Sequence, residues 1–199
     1  MSARPLLVFA PGAGLPSTSP WMQAWAERLR TFADVHAFDY PYQREGRKTP
    51  DRMSTLIESH QAAIGAAREA YGDRPVVLIG KSMGSRVGCY VALRFDVKAL
   101  VCLGYPLVGQ NGLLRDELLH ELARPVLFVQ GTRDPLAPLE QLNTAREGMT
   151  CRNELYVVPT GDHSLQVTKT HTKTTGRTQD DEDLAALEAI RAFVEGLPA

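Results

Sequence analysis

The chain has 199 residues, 44% of them apolar, and its 22 Lys and Arg against 23 Asp and Glu leave a formal net charge of −1 at pH 7. That length closes one ample core, and the even charge excludes a nucleic-acid surface built on a global basic excess. Three cysteines, Cys89, Cys102 and Cys151, are odd in number and lack metal-ligand spacing, which points to reduced buried thiols and no metal site.

Leu6 to Ala10 is an apolar run of strand length, ended by Pro11-Gly12-Ala13-Gly14. Together with the preceding residues it is too brief, and too interrupted by proline, for a signal-peptide core or a membrane span, so a cytoplasmic protein with no membrane contact is expected. Ser19 is placed to cap a helix that has Pro20 at its first position and Trp21, Trp25 and Leu29 on one face. Val35 to Phe38 is a short second strand, and Asp39 to Pro50 a loop whose Arg44, Arg47 and Lys48 are expected to be a solvated basic run, the alternative being that they favour an anionic substrate. Thr49-Pro50 is expected to cap a long helix reaching Tyr71, with Met53, Leu56, Ile57, His60, Ile64 and Ala67 at helical spacing and Gly72 as its stop.

A third strand, Val76 to Ile79, runs without a loop into Gly80-Lys81-Ser82-Met83-Gly84, and a helix is expected from Ser85 to Arg94. Ala99 to Leu103 is a fourth strand ending in Gly104-Tyr105-Pro106, Leu113 to Leu122 a short helix, and Pro125 to Gln130 a fifth strand ending in Gly131-Thr132-Arg133-Asp134-Pro135. Pro138 to Glu147 is helical, Glu154 to Val158 is the sixth strand, and Gly161-Asp162-His163-Ser164 follows it. Gln166 to Gln179 is long and polar for a connection, and its T-K-T-H-T-K-T run suits a small hairpin or a mobile segment. Asp183 to Glu195 carries a last helical stripe. Continuous apolar strands alternating with amphipathic helices specify an α/β fold, a mainly parallel sheet covered on both faces, with no repeat and no second domain.

In such a sheet a ligand lies outside the carboxyl ends of the strands, and the chemistry-bearing residues gather there. Gly80 to Gly84 reads G-x-S-x-G, a nucleophile elbow in which a sharp strand-to-helix turn lifts Ser82 clear of the sheet. A rival reading, the end of a phosphate-binding G-x-x-x-x-G-K-S loop, requires glycine where Pro75 stands and flexible residues where Val76 to Ile79 form a strand. A serine hydroxyl needs a base to take its proton, and the base needs a carboxylate to hold its tautomer. His163 is the best base: His60 and His120 lie on expected helices, His36 enters a strand, and His171 sits in the polar run. Asp134 is favoured as the acid over Asp162, because adjacent loop residues rarely aim their side chains at one another. Oxyanion donors are expected from the backbone N–H groups of Met83 and Ala13. Lys81 is expected to pair with surrounding structure or, failing that, to attract an acidic substrate; Tyr105, Leu107 and Met83 are candidates for an acyl pocket, with core or rim packing as the equal alternative.

These residues, P-G-A-G, G-K-S-M-G-S-R, G-T-R-D-P and G-D-H-S-L, resemble the α/β-hydrolase superfamily over nearly the whole chain, in the order Ser82, Asp134, His163. Within it the elbow and the L-R-D-E-L…P-V-L-F-V-Q-G-T-R-D segment are most similar to the small dienelactone-hydrolase-like proteins and the testis-expressed and NSL-complex-subunit group. The resemblance implies a three-layer fold with strands ordered 4-3-5-6-7-8 in superfamily naming, no lid domain and an open site. Many relatives have His before the oxyanion glycine, where this chain has Pro11. The expected activity is a serine hydrolase cleaving small or exposed carboxylic esters, with no cofactor and no nucleic-acid partner; monomeric state is compatible with the sequence. Thioester and amide cleavage use the same groups, and the alternative is a non-catalytic module that binds a partner protein.

Overall fold

The computed structural model describes residues 4–109 and 111–198. Its elements in order are β1 (Leu6–Ala10), α1 (Pro20–Arg30), β2 (Asp34–Ala37), α2 (Pro41–Arg44), α3 (Met53–Tyr71), β3 (Val76–Lys81), α4 (Met83–Ala92), β4 (Ala99–Leu103), α5 (Glu117–His120), β5 (Val126–Gly131), α6 (Leu139–Glu147), β6 (Asn153–Val158), α7 (Lys169–Thr175) and α8 (Gln179–Glu195). The six strands make one sheet ordered β2-β1-β3-β4-β5-β6, with every pairing parallel. This is the 4-3-5-6-7-8 arrangement. Among the described residues no helix is long and apolar enough to cross a membrane.

The central strands β1, β3, β4 and β5 are buried at every position because both sheet faces are covered, while the edge strands β2 and β6 are only partly buried. On β1, Leu7 and Phe9 pack into a core with Trp25 and Leu29 of α1 and Ile190 and Phe193 of α8. Leu6 and Val8 point the other way, among Leu56 and Ile64 of α3 and Val87 and Val91 of α4. Farther along that second face, Leu100 and Phe128 meet Leu118, Leu119 and Leu142 of α5 and α6. Each such side chain contributes about 1.5–3 kcal/mol when fully buried.

The chain runs from β1 to β2 on one side, then returns to place β3 on the other side of β1. The order therefore reverses between β1 and β3, and a crevice opens at their carboxyl ends. The loop 11–14 and Ser82 both emerge there.

Several local expectations are corrected. The helix expected at Ser85 begins at Met83, directly after Ser82, because the elbow leaves Ser82 as the single residue between strand and helix. The helix expected over Leu113 to Leu122 is only Glu117–His120; residues 108 and 114 pair instead in an isolated antiparallel bridge. Arg52, not Thr49, precedes the first residue of α3. The loop expected over Asp39 to Pro50 contains α2, started by proline at its first position. Gln166 to Gln179 holds neither hairpin nor bare loop: Thr168 accepts from His171 N–H as an N-cap, α7 follows, and Gly176 closes it at φ 74°. A capping box at Thr178 then starts α8, whose first turn carries Asp180, Asp181 and Glu182.

Candidate active site

Ser82 sits at φ 51° and ψ −114°, a backbone that L-residues avoid, and it is the residue joining β3 to α4. Its N–H is held by Leu103 O at 3.0 Å, and its own carbonyl accepts from Ser85 Oγ at 2.6 Å and from Ser85 N–H at 3.0 Å. The turn is possible because α4 crosses close over β1: a Cβ on Gly84 would stand 2.6 Å from both Ala10 O and Pro11 O. The two other non-glycine residues at positive φ among those described are Thr160 (54°) and Leu165 (63°), which bracket the loop bearing His163. Backbone strain thus gathers at the two segments that carry the serine and the imidazole.

The structure joins three of the sequence-derived candidates directly. His163 Nε2 lies 2.7 Å from Ser82 Oγ, and His163 Nδ1 lies 2.7 Å from Asp134 Oδ2. The Asp134 side chain is fully buried while that of His163 is 25% exposed, so the ring is anchored on one side and reachable on the other. Burial pushes the pKa of Asp134 up, but the hydrogen bond and charge of His163, the Leu136 N–H and the Gln130 amide outweigh it, holding this carboxyl below the usual range. With Asp134 accepting from Nδ1–H, the Nε2 lone pair faces Ser82 and can receive its proton. Asp162 does not compete for this role. Its carboxylate accepts from Ser164 N–H at 2.7 Å and Gln166 N–H at 3.0 Å, closing its own turn.

The other histidines are elsewhere. His36 is on β2, His120 is exposed on α5, and His171 of the polar run is buried with its Nε2 2.9 Å from Glu182 Oε1. His60 is buried beside Phe38, its Nδ1 3.3 Å from Tyr40 OH and its Nε2 without a partner, and burial lowers its pKa to about 3.

Four side chains near the site escaped the sequence reading of chemistry. Gln130, buried on β5, donates from Nε2 to Asp134 Oδ2 and accepts Tyr105 N–H at 3.1 Å. The available signal was a lone amide in the apolar run V-L-F-V-Q-G just before the acid. Trp21 donates from its indole nitrogen to Ser164 O at 2.9 Å. Tyr42 OH donates to Ala13 O at 2.8 Å, and Gln43 Nε2 to Gly12 O at 2.9 Å. No pattern in the sequence announces these last three.

Lys81 is paired with surrounding structure. It is almost fully buried, donates from Nζ to His163 O at 2.5 Å and lies 5.8 Å from the Trp21 ring centroid. Burial lowers its pKa to about 8, against the opposing influence of the Asp134 and Asp162 charges.

Tyr105 and Leu107 do not line an acyl pocket. Gly104 turns at φ 65° and sends both into the core, fully buried, with Tyr105 stacked edge-on against Phe128 at 5.8 Å. Met83 remains half-buried beside Ser82. Across the crevice, the loop 11–14 lies against the elbow: a Cβ on Gly12 would be 3.7 Å from Ser82 Cβ. Cavities of about 500, 470 and 600 Å³ lie beside β2 and at the amino ends of the strands, and none is lined by Ser82, Asp134 or His163. Ser82 and His163 are both partly exposed at the crevice.

A six-stranded parallel sheet with this elbow and this order of side chains defines an α/β hydrolase. Residues 3–195 match the family described as the alpha/beta hydrolase domain, and the chain belongs to that family. It is similar, at 28% identity over 127 residues, to a Yersinia pestis protein named "Putative carboxymethylenebutenolidase", covering 60% of this chain and 47% of that protein. The chain thus spans about half the length of the curated relative it matches. Among solved structures, an alpha-beta serine hydrolase homologue from Coxiella burnetii shares 17% identity at a TM-score of 0.71, with 98% of this chain and 89% of that one covered. A cold-adapted esterase from an Arctic intertidal metagenomic library shares 20% at 0.64, covering 92% and 83%. At these identities the structures establish the shared fold.

Proposed function

We propose that this protein is a serine hydrolase that cleaves small or surface-exposed carboxylic esters through an acyl-enzyme on Ser82. One observation carries the reading: a continuous hydrogen-bonded chain from Ser82 Oγ through His163 to Asp134, with 2.7 Å at each link. His163 Nε2 takes the hydroxyl proton as Oγ attacks the ester carbonyl, and Asp134 stabilises the imidazolium that forms. The N–H groups of Met83 and Ala13 receive the oxyanion. Met83 is the first residue of α4, so its N–H has no partner within the helix, and the helix dipole favours negative charge there. His163 then returns the proton to the leaving alcohol, and water repeats the sequence to release the acid.

Ester groups that are short or exposed fit this reading, since the acyl-pocket candidates Tyr105 and Leu107 are in the core. The name of the Yersinia pestis relative and the esterase neighbour add support for ester chemistry. A binding module has no use for a strained serine aligned with a base and a buried acid, so the non-catalytic alternative is the weaker reading. The test is labelling of the folded protein with a fluorophosphonate probe together with p-nitrophenyl acetate turnover. Labelling on Ser82 and loss of both signals in Ser82→Ala are expected; an unlabelled wild type, or full turnover in Ser82→Ala, overturns the proposal.

A further inference from the structure

Resting on the serine-hydrolase reading, we infer that Gln43, with Tyr42 beside it, is a positioning residue that aims the Ala13 N–H into the oxyanion site by holding the far side of the same peptide. The Gly12 carbonyl and the Ala13 N–H belong to one planar trans peptide unit, so they point in opposite directions. Gln43 Nε2 donates to Gly12 O at 2.9 Å, which fixes that plane and turns the Ala13 N–H away from α2. The next plane is fixed in the same way: Tyr42 OH donates to Ala13 O at 2.8 Å.

The clamp is itself held. Gln43 Oε1 accepts Tyr40 N–H at 3.2 Å, so its amide cannot reverse without setting donor against donor and acceptor against acceptor. Tyr42 is fully buried, and its N–H is bonded to Asp51 Oδ2 at 3.0 Å, with Arg47 reaching Asp51 Oδ1 at 2.7 Å. Pro11-Gly12-Ala13-Gly14 has little side-chain mass of its own and Gly12 lacks a Cβ. Locally the Gly12 carbonyl accepts only the longer bond from Leu15 N–H, at 3.4 Å, so the shorter tie that fixes its orientation comes from α2, about thirty residues onward. This gives α2 a role that neither the sheet nor the core requires.

Gln43→Glu sets a carboxylate oxygen against the Gly12 carbonyl, Gln43→Met removes the donor, and Tyr42→Phe removes the second tie while keeping the ring. Each is assayed with p-nitrophenyl acetate and with a trifluoromethyl ketone inhibitor, whose Ser82 adduct carries the oxyanion. Lys48→Ala, an exposed change on the same loop, serves as the control. The expected result is a fall in kcat of between about 5-fold and about 100-fold for Gln43→Glu, smaller than the roughly 10²–10³-fold loss of an oxyanion donor. KM stays within about 2-fold, inhibitor affinity falls in proportion to kcat, and the melting temperature matches that of Lys48→Ala. Gln43→Met and Tyr42→Phe follow with smaller losses on the same kcat-to-affinity line. Unchanged kcat in Gln43→Glu and Gln43→Met, or kcat falling with no loss of inhibitor affinity, overturns the inference. Fluorophosphonate labelling of the wild type separates the two failures, since a labelled, active wild type with indifferent Gln43 variants leaves the hydrolase reading intact.

Discussion

Asp134→Asn isolates the step on which the proposed chemistry depends. Asp134 accepts three hydrogen bonds, from Leu136 N–H at Oδ1 (2.8 Å) and from both His163 Nδ1 (2.7 Å) and Gln130 Nε2 at Oδ2. Asparagine offers one oxygen and one NH₂ in that space. If the oxygen faces Leu136, the NH₂ confronts two donors; the Gln130 amide cannot turn to accept, because its oxygen holds Tyr105 N–H. His163 then accepts at Nδ1, carries its proton on Nε2, and donates to Ser82 instead of receiving from it. In the serine-protease template the equivalent tautomer error lowers kcat about 10⁴-fold, about 5.5 kcal/mol of barrier. The volume is conserved, so the fold should hold. Steady-state hydrolysis of p-nitrophenyl acetate, with melting and circular dichroism as controls, should show kcat reduced by about 10³–10⁴-fold at a nearly unchanged KM. A folded variant losing less than about 10-fold would refute the assignment of Asp134 as the group that sets the imidazole tautomer.

Lys81→Met removes the donor to His163 O and also a buried charge, so turnover should fall while the pH dependence of stability changes. Because the folded pKa of Lys81 is lowered to about 8, the unfolded chain binds the extra proton above that pH. The wild type should therefore gain up to roughly 3 kcal/mol as pH rises from about 8 towards 10.5, and urea unfolding of the variant at pH 7 and pH 10 should lack that gain. His60 has the same lowering of pKa at a more acidic range, to about 3. Its unfolded form takes up a proton below about pH 6.5, so stability should decline as pH falls through that window, and His60→Leu should flatten the slope between pH 6.5 and 4. Gly84→Ala sets a methyl group 2.6 Å from two carbonyl oxygens and should destabilise by about 1–3 kcal/mol or more, with esterase activity lost along with the elbow geometry. A variant with unchanged melting temperature and turnover would contradict the close crossing of α4 over β1.

Periodicity and turn residues determined much of this protein by themselves. The strands begin and end within about two residues of expectation, because a strand covered on both faces is largely apolar: β1 and β4 are apolar throughout, and β3 and β5 take polar side chains only at Lys81 and Gln130, at their carboxyl ends. The order Ser82, Asp134, His163 was legible because each lies on the turn or loop that leaves the carboxyl end of a strand, and a parallel sheet delivers every such loop to one edge. The tertiary structure decided what depends on partners distant in the chain. T-K-T-H-T-K-T is helical because His171 finds Glu182 and the caps at Thr168 and Gly176 close it, none of which a polar run of weak helix formers announces. Tyr105 and Leu107 are core residues because Gly104 turns the chain inward, a dihedral choice invisible in G-Y-P. The hydrogen bonds of Trp21 to Ser164, Lys81 to His163 and Gln43 to Gly12 join side chains to groups across the sheet ends or on other segments. Local sequence chose the residues that can do chemistry; the directions in which their hydrogen bonds point come from packing, since only the closed fold brings a second element within about 3 Å.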